Sequence, residues 1–311
     1  MKGYKGEIAP IAVFAFNRPE HLHKILMALA QNDLAEQSEV TIFCDGPRTK
    51  EEKVKTDAVR AVAHSATGFS SVVVIERAQN IGCAASVING LRHMFSEYER
   101  LIVIEDDILC SKFTLKYLNS ALSFYEERNS IFSISAWAPP AKLIHLPEDF
   151  QDVYFVPRFH CWGWALWRDR FAAIDWKAVA YTEFKHSPLL RRLYSQQGDD
   201  LPAMLDLQME GKLDTWDILV DFARFWNGKV CVNPRFSYTT NIGIGSGSHT
   251  IEATDRYDNN IELALADPQF CAATTYDFEF FLNYAMLHVT KPSLGSALKE
   301  KMKIFRKMRK D

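Results

Sequence analysis

The 311-residue chain contains no apolar run of roughly 18 residues, so it offers no candidate membrane-spanning helix. Neither sign of charge dominates. There are 36 basic and 39 acidic side chains, a net charge of −3, and nothing global points to a nucleic-acid partner. No cysteine pair has zinc-ligand spacing. Cys44, Cys83, Cys110, Cys161, Cys231 and Cys271 are scattered, which favours reduced thiols over a disulfide framework. Internal repeats and low-complexity segments are absent. Two nucleotide-binding signatures are also missing. No G-x-x-x-x-G-K-[ST] occurs, which excludes a P-loop enzyme. No G-x-G-x-x-G follows the first apolar segment, which excludes a dinucleotide-binding turn. The run Gly243-Ile244-Gly245-Ser246-Gly247 comes too late and has the wrong spacing.

What is present is ordinary globular composition, 48% hydrophobic and 24% charged, with length for one large domain or two small ones and a sizeable core. The opening MKGYKGEIAPIAVFAF puts two lysines before an apolar stretch, in the manner of a signal peptide. Pro10 interrupts it, no small-residue cleavage site follows, and it leads into Asn17-Arg18-Pro19. The stretch reads as a first buried strand and the protein as cytoplasmic.

Apolar runs at Ile11–Phe16, Val40–Cys44, Ser71–Ile75, Leu101–Ile104 and Ile131–Ser135 read as strands covered on both faces. Between them lie helical patterns. Pro19 opens one whose stripe is Leu22, Ile25, Leu26 and Leu29. Others span Lys50–Ala66, Ala84–Phe95 and Phe113–Tyr125. This rhythm predicts an α/β fold with a mostly parallel sheet flanked by helices. After Trp137 the rhythm breaks, and all seven tryptophans fall between Trp137 and Trp226. Pro139–Pro157 reads as an irregular excursion, Asp214–Trp226 as a helix and Lys229–Val232 as a strand. The expected organisation is a first half over 1–136 carrying the alternating elements, an aromatic-rich half over 137–290, and a basic tail over 291–311.

In an open parallel sheet, ligands bind beyond the carboxyl ends of the strands. Three such ends are chemically loaded: Asn17-Arg18, Asp45-Gly46 and Glu105-Asp106-Asp107. Three adjacent carboxylates repel one another. A hard divalent cation would offset that repulsion, taking one or two carboxylates and completing its shell with phosphate oxygens and water. A solvated acidic turn capping the next helix fits the triplet as well. Asp45 is placed either to accept a base imino N–H or to make an Asx turn. Arg18, at a helix start, suits a diphosphate or is a surface arginine. His21 and His23 share a polar helix face and read as exposed.

Together, PIAVFAFNRPEHLHKIL at 10–26, VIEDDI at 103–108, Trp216-Asp217, and CVNPRFSYTTNIGIGSGSH at 231–249 resemble the GT-A glycosyltransferases. The likeness is to the N-acetylglucosaminyltransferase I group and bacterial surface-polysaccharide glycosyltransferases. The resemblance implies a GT-A, Rossmann-like fold and an inverting transfer from a nucleotide sugar, a UDP-sugar in that family, with Mn²⁺ or Mg²⁺ as cofactor. It implies Asp107 as metal ligand, Glu105 and Asp106 near the ribose and metal, Asp45 at the base, and Arg18 near the diphosphate. It implies Asp217 as general base, with Asp214 and Asp221 as alternatives, and Asn241 and His249 in a loop closing over the donor. Phe16, Asn17 and Asn80 complete the candidate donor-binding set. The acceptor is expected to be a glycan or a lipid-linked glycan.

The belt Phe159, His160, Trp162, Trp164 and Trp167 suits sugar stacking or core packing. The rival readings are a nucleotide-sugar pyrophosphorylase, which wants a glycine-rich first turn, and a non-catalytic carbohydrate-binding protein. In the tail, Leu298, Met302, Phe305 and Met308 form a narrow apolar stripe, and from Lys299 onward seven basic side chains stand against two acidic ones. A basic amphipathic helix there would hold the protein peripherally on an anionic membrane. A frayed, solvated terminus fits equally.

Overall fold

The computed structural model describes residues 6–144, 146, 150–244, 255–271 and 284. The first part alternates as expected: β1 (Ile11–Ala15), α1 (Pro19–Ala30), β2 (Glu39–Cys44), α2 (Lys50–His64), β3 (Ser71–Glu76), α3 (Cys83–Glu97) and β4 (Arg100–Glu105). A short β5 (Ile108–Cys110) precedes α4 (Thr114–Tyr125) and β6 (Ile131–Ser135). Then come β7 (Val153–Val156), β8 (Trp164–Trp167), and the helices α5 (Arg168–Ala172), α6 (Tyr181–His186), α7 (Pro188–Ser195), α8 (Asp200–Met209) and α9 (Asp217–Trp226). Strands β9 (Val230–Pro234) and β10 (Thr239–Asn241) follow. Among the described residues, no helix is long and apolar enough to cross a membrane.

Eight strands form one sheet in the order β3-β2-β1-β4-β8-β6-β9-β7, and β5 pairs with β10 in a separate antiparallel ribbon. Pairings β3–β2, β2–β1, β1–β4 and β6–β9 are parallel, whereas β8 runs antiparallel to both β4 and β6, and β7 to β9. Hence β1, β2, β3, β4, β6 and β9 all point one way, and only β7 and β8 point back. Their carboxyl ends share one rim of the sheet.

The strand period explains the two-sided core. On β1, Ile11, Val13 and Ala15 enter one apolar cluster while Ala12 and Phe14 enter another. On β4, Ile102 and Ile104 join the first and Leu101 and Val103 the second. Side chains on successive strand residues point to opposite faces, so helices must cover both. The stripes of α1 (Leu22, Ile25, Leu26, Leu29) and α4 (Leu115, Leu118, Leu122) close the first face. Helix α3, through Val87, Leu91 and Met94, and α9, through Val220 and Ala223, close the second. A third cluster, with Phe184, Tyr194, Leu205 and Phe222, lies within α6–α9.

Two expectations are corrected and one strand is added. The stretch Pro139–Pro157 is not wholly irregular, because Val153–Val156 pairs with β9. Trp164–Trp167 is a strand wedged between β4 and β6. It is buried on both faces, so its sequence carries no polar alternation to mark it. Helix α9 begins at Asp217, not Asp214, because the Thr215 amide donates to the Gln208 side chain at 2.9 Å and lies outside the helical ladder.

Helix α3 approaches β1 closely enough to require glycine. A Cβ at Gly90 would sit 2.4 Å and 2.7 Å from ring carbons of Phe14, whose ring stacks on Phe43. Gly90→Ala therefore overpacks the core. It is expected to cost about 1–3 kcal/mol, seen as a lower urea midpoint with an unchanged m-value.

Candidate functional site

The carboxyl ends of β1, β2 and β4 open on a cavity of about 650 Å³ whose lining includes Phe16, Asn17, Arg18, Asp45, Asn80, Glu105 and Asp106. Seven candidate donor-site residues, drawn from four separate segments, therefore meet at one place. The sheet does this: each segment follows one of the parallel strands β1, β2, β3 and β4.

The acidic triplet ends β4. Asp106 is buried, and its Oδ2 accepts the Phe16 amide at 3.2 Å. Its other oxygen receives the Arg18 guanidinium, whose Nη1 reaches Asp107 Oδ2 at 3.0 Å. Arg18 thus bridges two of the three carboxylates. The third, Glu105, has no hydrogen-bond partner among the described residues. Burial, then the charges of Asp107, Asp106 and Asp217, pushes the Glu105 carboxyl well above the ordinary carboxylate range. Burial also pushes Asp106 up to about 6, against the opposing pull of Arg18. One guanidinium against three carboxylates leaves the cluster short of positive charge.

Among the described residues no group of three His, Cys, Asp or Glu side chains makes a ready metal cage. A hard cation bound largely by substrate phosphates needs only one or two carboxylates. The all-oxygen donor set at Asp107, Asp106 and Glu105, and its uncompensated charge, fit Mg²⁺ or Mn²⁺.

Asp45 ties two turns together. Its Oδ1 accepts the amide of the next residue, Gly46, at 2.9 Å and the Ile81 amide at 3.3 Å. Its Oδ2 accepts Asn80 Nδ2 at 3.0 Å. It therefore ties the end of β2 to the turn between β3 and α3, and holds Asn80 in the cavity wall. Burial raises its pKa, opposed by those backbone N–H groups. Gly46 is needed beside it, since a Cβ there would lie within 2.4–2.6 Å of the Gln79 backbone.

Asp217 stands at the first turn of α9. Its Oδ1 accepts the Ile218 amide at 2.9 Å and the Thr215 hydroxyl. Its Oδ2 makes no hydrogen bond among the described residues, and its charge acts on Glu105. Asp214 is exposed and lines the large cavity. Asp221, in contrast, is built into the core. It is buried, and its Oδ1 accepts the Phe159 amide at 2.7 Å and Arg224 Nε at 2.9 Å. Its work is to hold the α6–α9 unit to the sheet.

Asn241 is brought to the acidic cluster by the β5–β10 ribbon, where it pairs with Ile108. Its side chain accepts the Gly243 amide at 2.7 Å, and the Ile242 amide donates to the Asp107 carbonyl at 2.8 Å. A Cβ at Gly243 would lie 2.5 Å from Asp107 Oδ2 and 2.7 Å from Arg18 Nη1, so the backbone here rests directly on the charged pair. His23 is exposed as expected, but His21 is not, because its Nε2 meets the Ile242 carbonyl at 3.3 Å. His249, the glycines beyond Ile244 and the basic tail lie outside the described residues.

The aromatic belt divides. Phe159, Trp164 and Trp167 are core, while His160 and Trp162 remain partly exposed. All six cysteines are free. Sequence reasoning missed Arg48, which lines the cavity with its guanidinium 5.0 Å from the Phe16 ring centroid. Its position three residues after Asp45, at the same strand end, was the available signal.

No known protein family matches the chain. Among solved structures, the mannosyltransferase PcManGT from Pyrobaculum calidifontis, in complex with GDP-Man and Mn²⁺, is similar at 18% identity over 54% of this chain and 48% of its own, with a TM-score of 0.36. S. aureus TarS is similar at 13% identity over 74% of this chain and 36% of its own, with a TM-score of 0.41. The 1–349 portion of TarS gives 13%, 74%, 59% and 0.43. The chain thus spans less than two thirds of the length of each.

The two aspartates of α9 separate by experiment. Asp221→Ala strands the Arg224 guanidinium in the core and is expected to cost about 3–5 kcal/mol. Asp217→Asn, at a half-buried helix start, should stay within about 1 kcal/mol of the parent. Chemical denaturation of both variants checks the contrast.

Proposed function

We propose that this chain is a metal-dependent, inverting GT-A glycosyltransferase that moves a sugar from a nucleotide sugar, with UDP-sugars the favoured class, to a hydroxyl of a glycan or lipid-linked glycan. The observation that carries the reading is the β4 end: three carboxylates opposed by one guanidinium, with Glu105, Asp106 and Arg18 on the wall of a cavity of about 650 Å³ at the carboxyl rim. A site short of positive charge, with Asn80 and Asp45 held rigidly at its far side, suits a ligand that brings a cation with its phosphates and a polar ring at its other end.

In this reading Asp107, with Asp106 and Glu105 beside it, would hold Mg²⁺ or Mn²⁺. When bound, the ion would stabilise negative charge on the leaving diphosphate. Arg18 keeps Asp106 and Asp107 in register and adds a fixed positive charge near the phosphates. Phe16, flanked by Arg48, gives an aromatic surface for a base, and the Asp45–Asn80 pair supplies polar edges. Asp217 acts as the base. Its Oδ1 is anchored by Ile218 and Thr215, which leaves Oδ2 to take the proton of the acceptor hydroxyl. As that oxygen bonds to the anomeric carbon, the bond to the diphosphate breaks. Its electron pair leaves with the nucleoside diphosphate, and the configuration inverts. Asp214, which lines the cavity where Asp217 does not, is the alternative base.

Thermal melts with UDP- and GDP-sugars, with and without Mn²⁺, test the donor site, because a ligand of the native state raises its melting temperature. Metal-dependent stabilisation is expected in the parent and lost in Asp107→Ala, which keeps its fold because it removes a repelling charge. Equal stabilisation in the variant would remove Asp107 from the metal site. Asp217→Asn should retain donor stabilisation while transfer falls by roughly 10²–10⁴-fold. Near-normal turnover would move the role to Asp214.

A further inference from the structure

A second cavity, of about 430 Å³, opens where β6 and β9 end. Pro139 and Pro140 follow β6, Phe236 follows β9, and the segment Asp258–Asn260 forms the opposite wall. Its volume is in the range of small-ligand sites, roughly 300–1,000 Å³. Because β4, β6 and β9 point the same way, it opens on the same rim as the acidic cluster, displaced along the sheet by the width of β8.

We propose that this cavity binds an uncharged oligosaccharide, the part of the acceptor that does not react. The assignment rests on the transferase reading of the β4 site. Its chemistry is that of a sugar site: an apolar floor, one aromatic ring, and a few amide and carboxylate groups. The wall is tethered by the Asn259 amide to Thr240 Oγ1 at 3.3 Å and by Asn259 Nδ2 to the Ala138 carbonyl at 3.0 Å. Asn260 Oδ1 accepts the Glu262 amide at 3.1 Å. Those bonds leave Asn259 Oδ1, Asn260 Nδ2 and the Asp258 carboxylate with no hydrogen bond among the described residues. A saccharide supplies hydroxyls for such groups and a C–H face for Phe236.

The charges argue for a neutral ligand because they balance. Lys142 is paired with the Asp255 carboxylate at 3.7 Å, and the two remaining charged groups of the lining, Arg235 and Asp258, are of opposite sign.

Strand β10 links the two sites. Thr240 Oγ1 accepts the Asn259 amide, and the next residue, Asn241, pairs with Ile108 beside the acidic cluster. Trp162, whose carbonyl accepts the Thr239 hydroxyl at 2.6 Å, is partly exposed and meets Tyr257 edge-on at 5.8 Å between centroids. Tyr257 immediately precedes Asp258. A saccharide of two or more units can run from the cavity over Trp162 and Tyr257 and present its terminal hydroxyl toward Asp217.

The test is retention of the full chain on a printed array of neutral mono- and oligosaccharides, with anionic and neutral phospholipid vesicles in parallel. Wild type should retain oligosaccharides in preference to single sugars. Leu263 lines the cavity and is 53% exposed, so Leu263→Trp can fill the space without disturbing the core. It should lower retention by about tenfold or more with an unchanged melting temperature. Asp258→Ala, at an exposed residue, gives the same reading without added bulk. Three results would overturn the proposal: no oligosaccharide retained, equal retention by both variants, or Leu263-dependent binding to vesicles in place of glycans. Slow Mn²⁺-dependent hydrolysis of a nucleotide sugar by wild type tests the β4 site separately. Glycan retention without that hydrolysis would leave a saccharide site and overturn its role as the acceptor site.

Discussion

Three carboxylates must coexist at the end of a buried strand, and most of the site follows from how that repulsion is managed. Two like charges about 4 Å apart repel by about 4 kcal/mol at an effective dielectric of about 20. Arg18 meets part of this by bridging Asp106 and Asp107. The Phe16 amide takes another lone pair of Asp106. What remains falls on Glu105, which is forced toward its neutral form. The cluster is held together, but not neutralised, by the protein alone. A structural ion-pair network would be balanced, as Asp221 and Arg224 are one helical turn apart in α9. The two clusters thus differ in charge balance: one is paired within the helix, and the other keeps more carboxylates than cations.

The backbone is arranged around the same point. The β5–β10 ribbon sets Ile242 and Gly243 against Asp107 and Arg18, and no side chain fits there. At the other side of the cavity, Asp45 fastens the β3–α3 turn through amide contacts, and Gly46 packs against Gln79 with no room for a Cβ. Both glycines are explained by close backbone approach rather than by turn conformation. Rigid walls of this kind fix polar groups before a ligand arrives, so little ordering cost remains on binding.

Strand direction then places the rest. With β8 reversed between β4 and β6, the sheet brings a second set of carboxyl ends onto the same rim. The proposed donor and acceptor cavities are neighbours for that topological reason. Trp162 and His160 are the partly exposed members of the aromatic belt, while Trp164 and Trp167 are consumed by packing on the two faces of β8.

Much of this was legible in the order of residues alone. Continuous apolar runs placed β1 to β4 and β6, and helical patterns placed α1 to α4, close to their observed bounds, because each buries apolar surface that local sequence must supply. The loaded strand ends were legible too, since a charge at the end of an apolar run is a local fact. Tertiary structure decided what depends on partners distant in sequence. It made β8 a strand, since its four residues are buried on both faces and show no alternation. It set Asp221 in the core and left Asp217 half-buried at the helix start, although the two are the same residue type on one helix. The difference is made by Arg224 and by the Phe159 amide, 62 positions away. It drew His21 to Ile242 and Arg48 over Phe16. A side chain's chemistry is written in its identity, but whether that chemistry is spent on the protein or left for a ligand is set by which neighbours the fold brings within hydrogen-bonding distance.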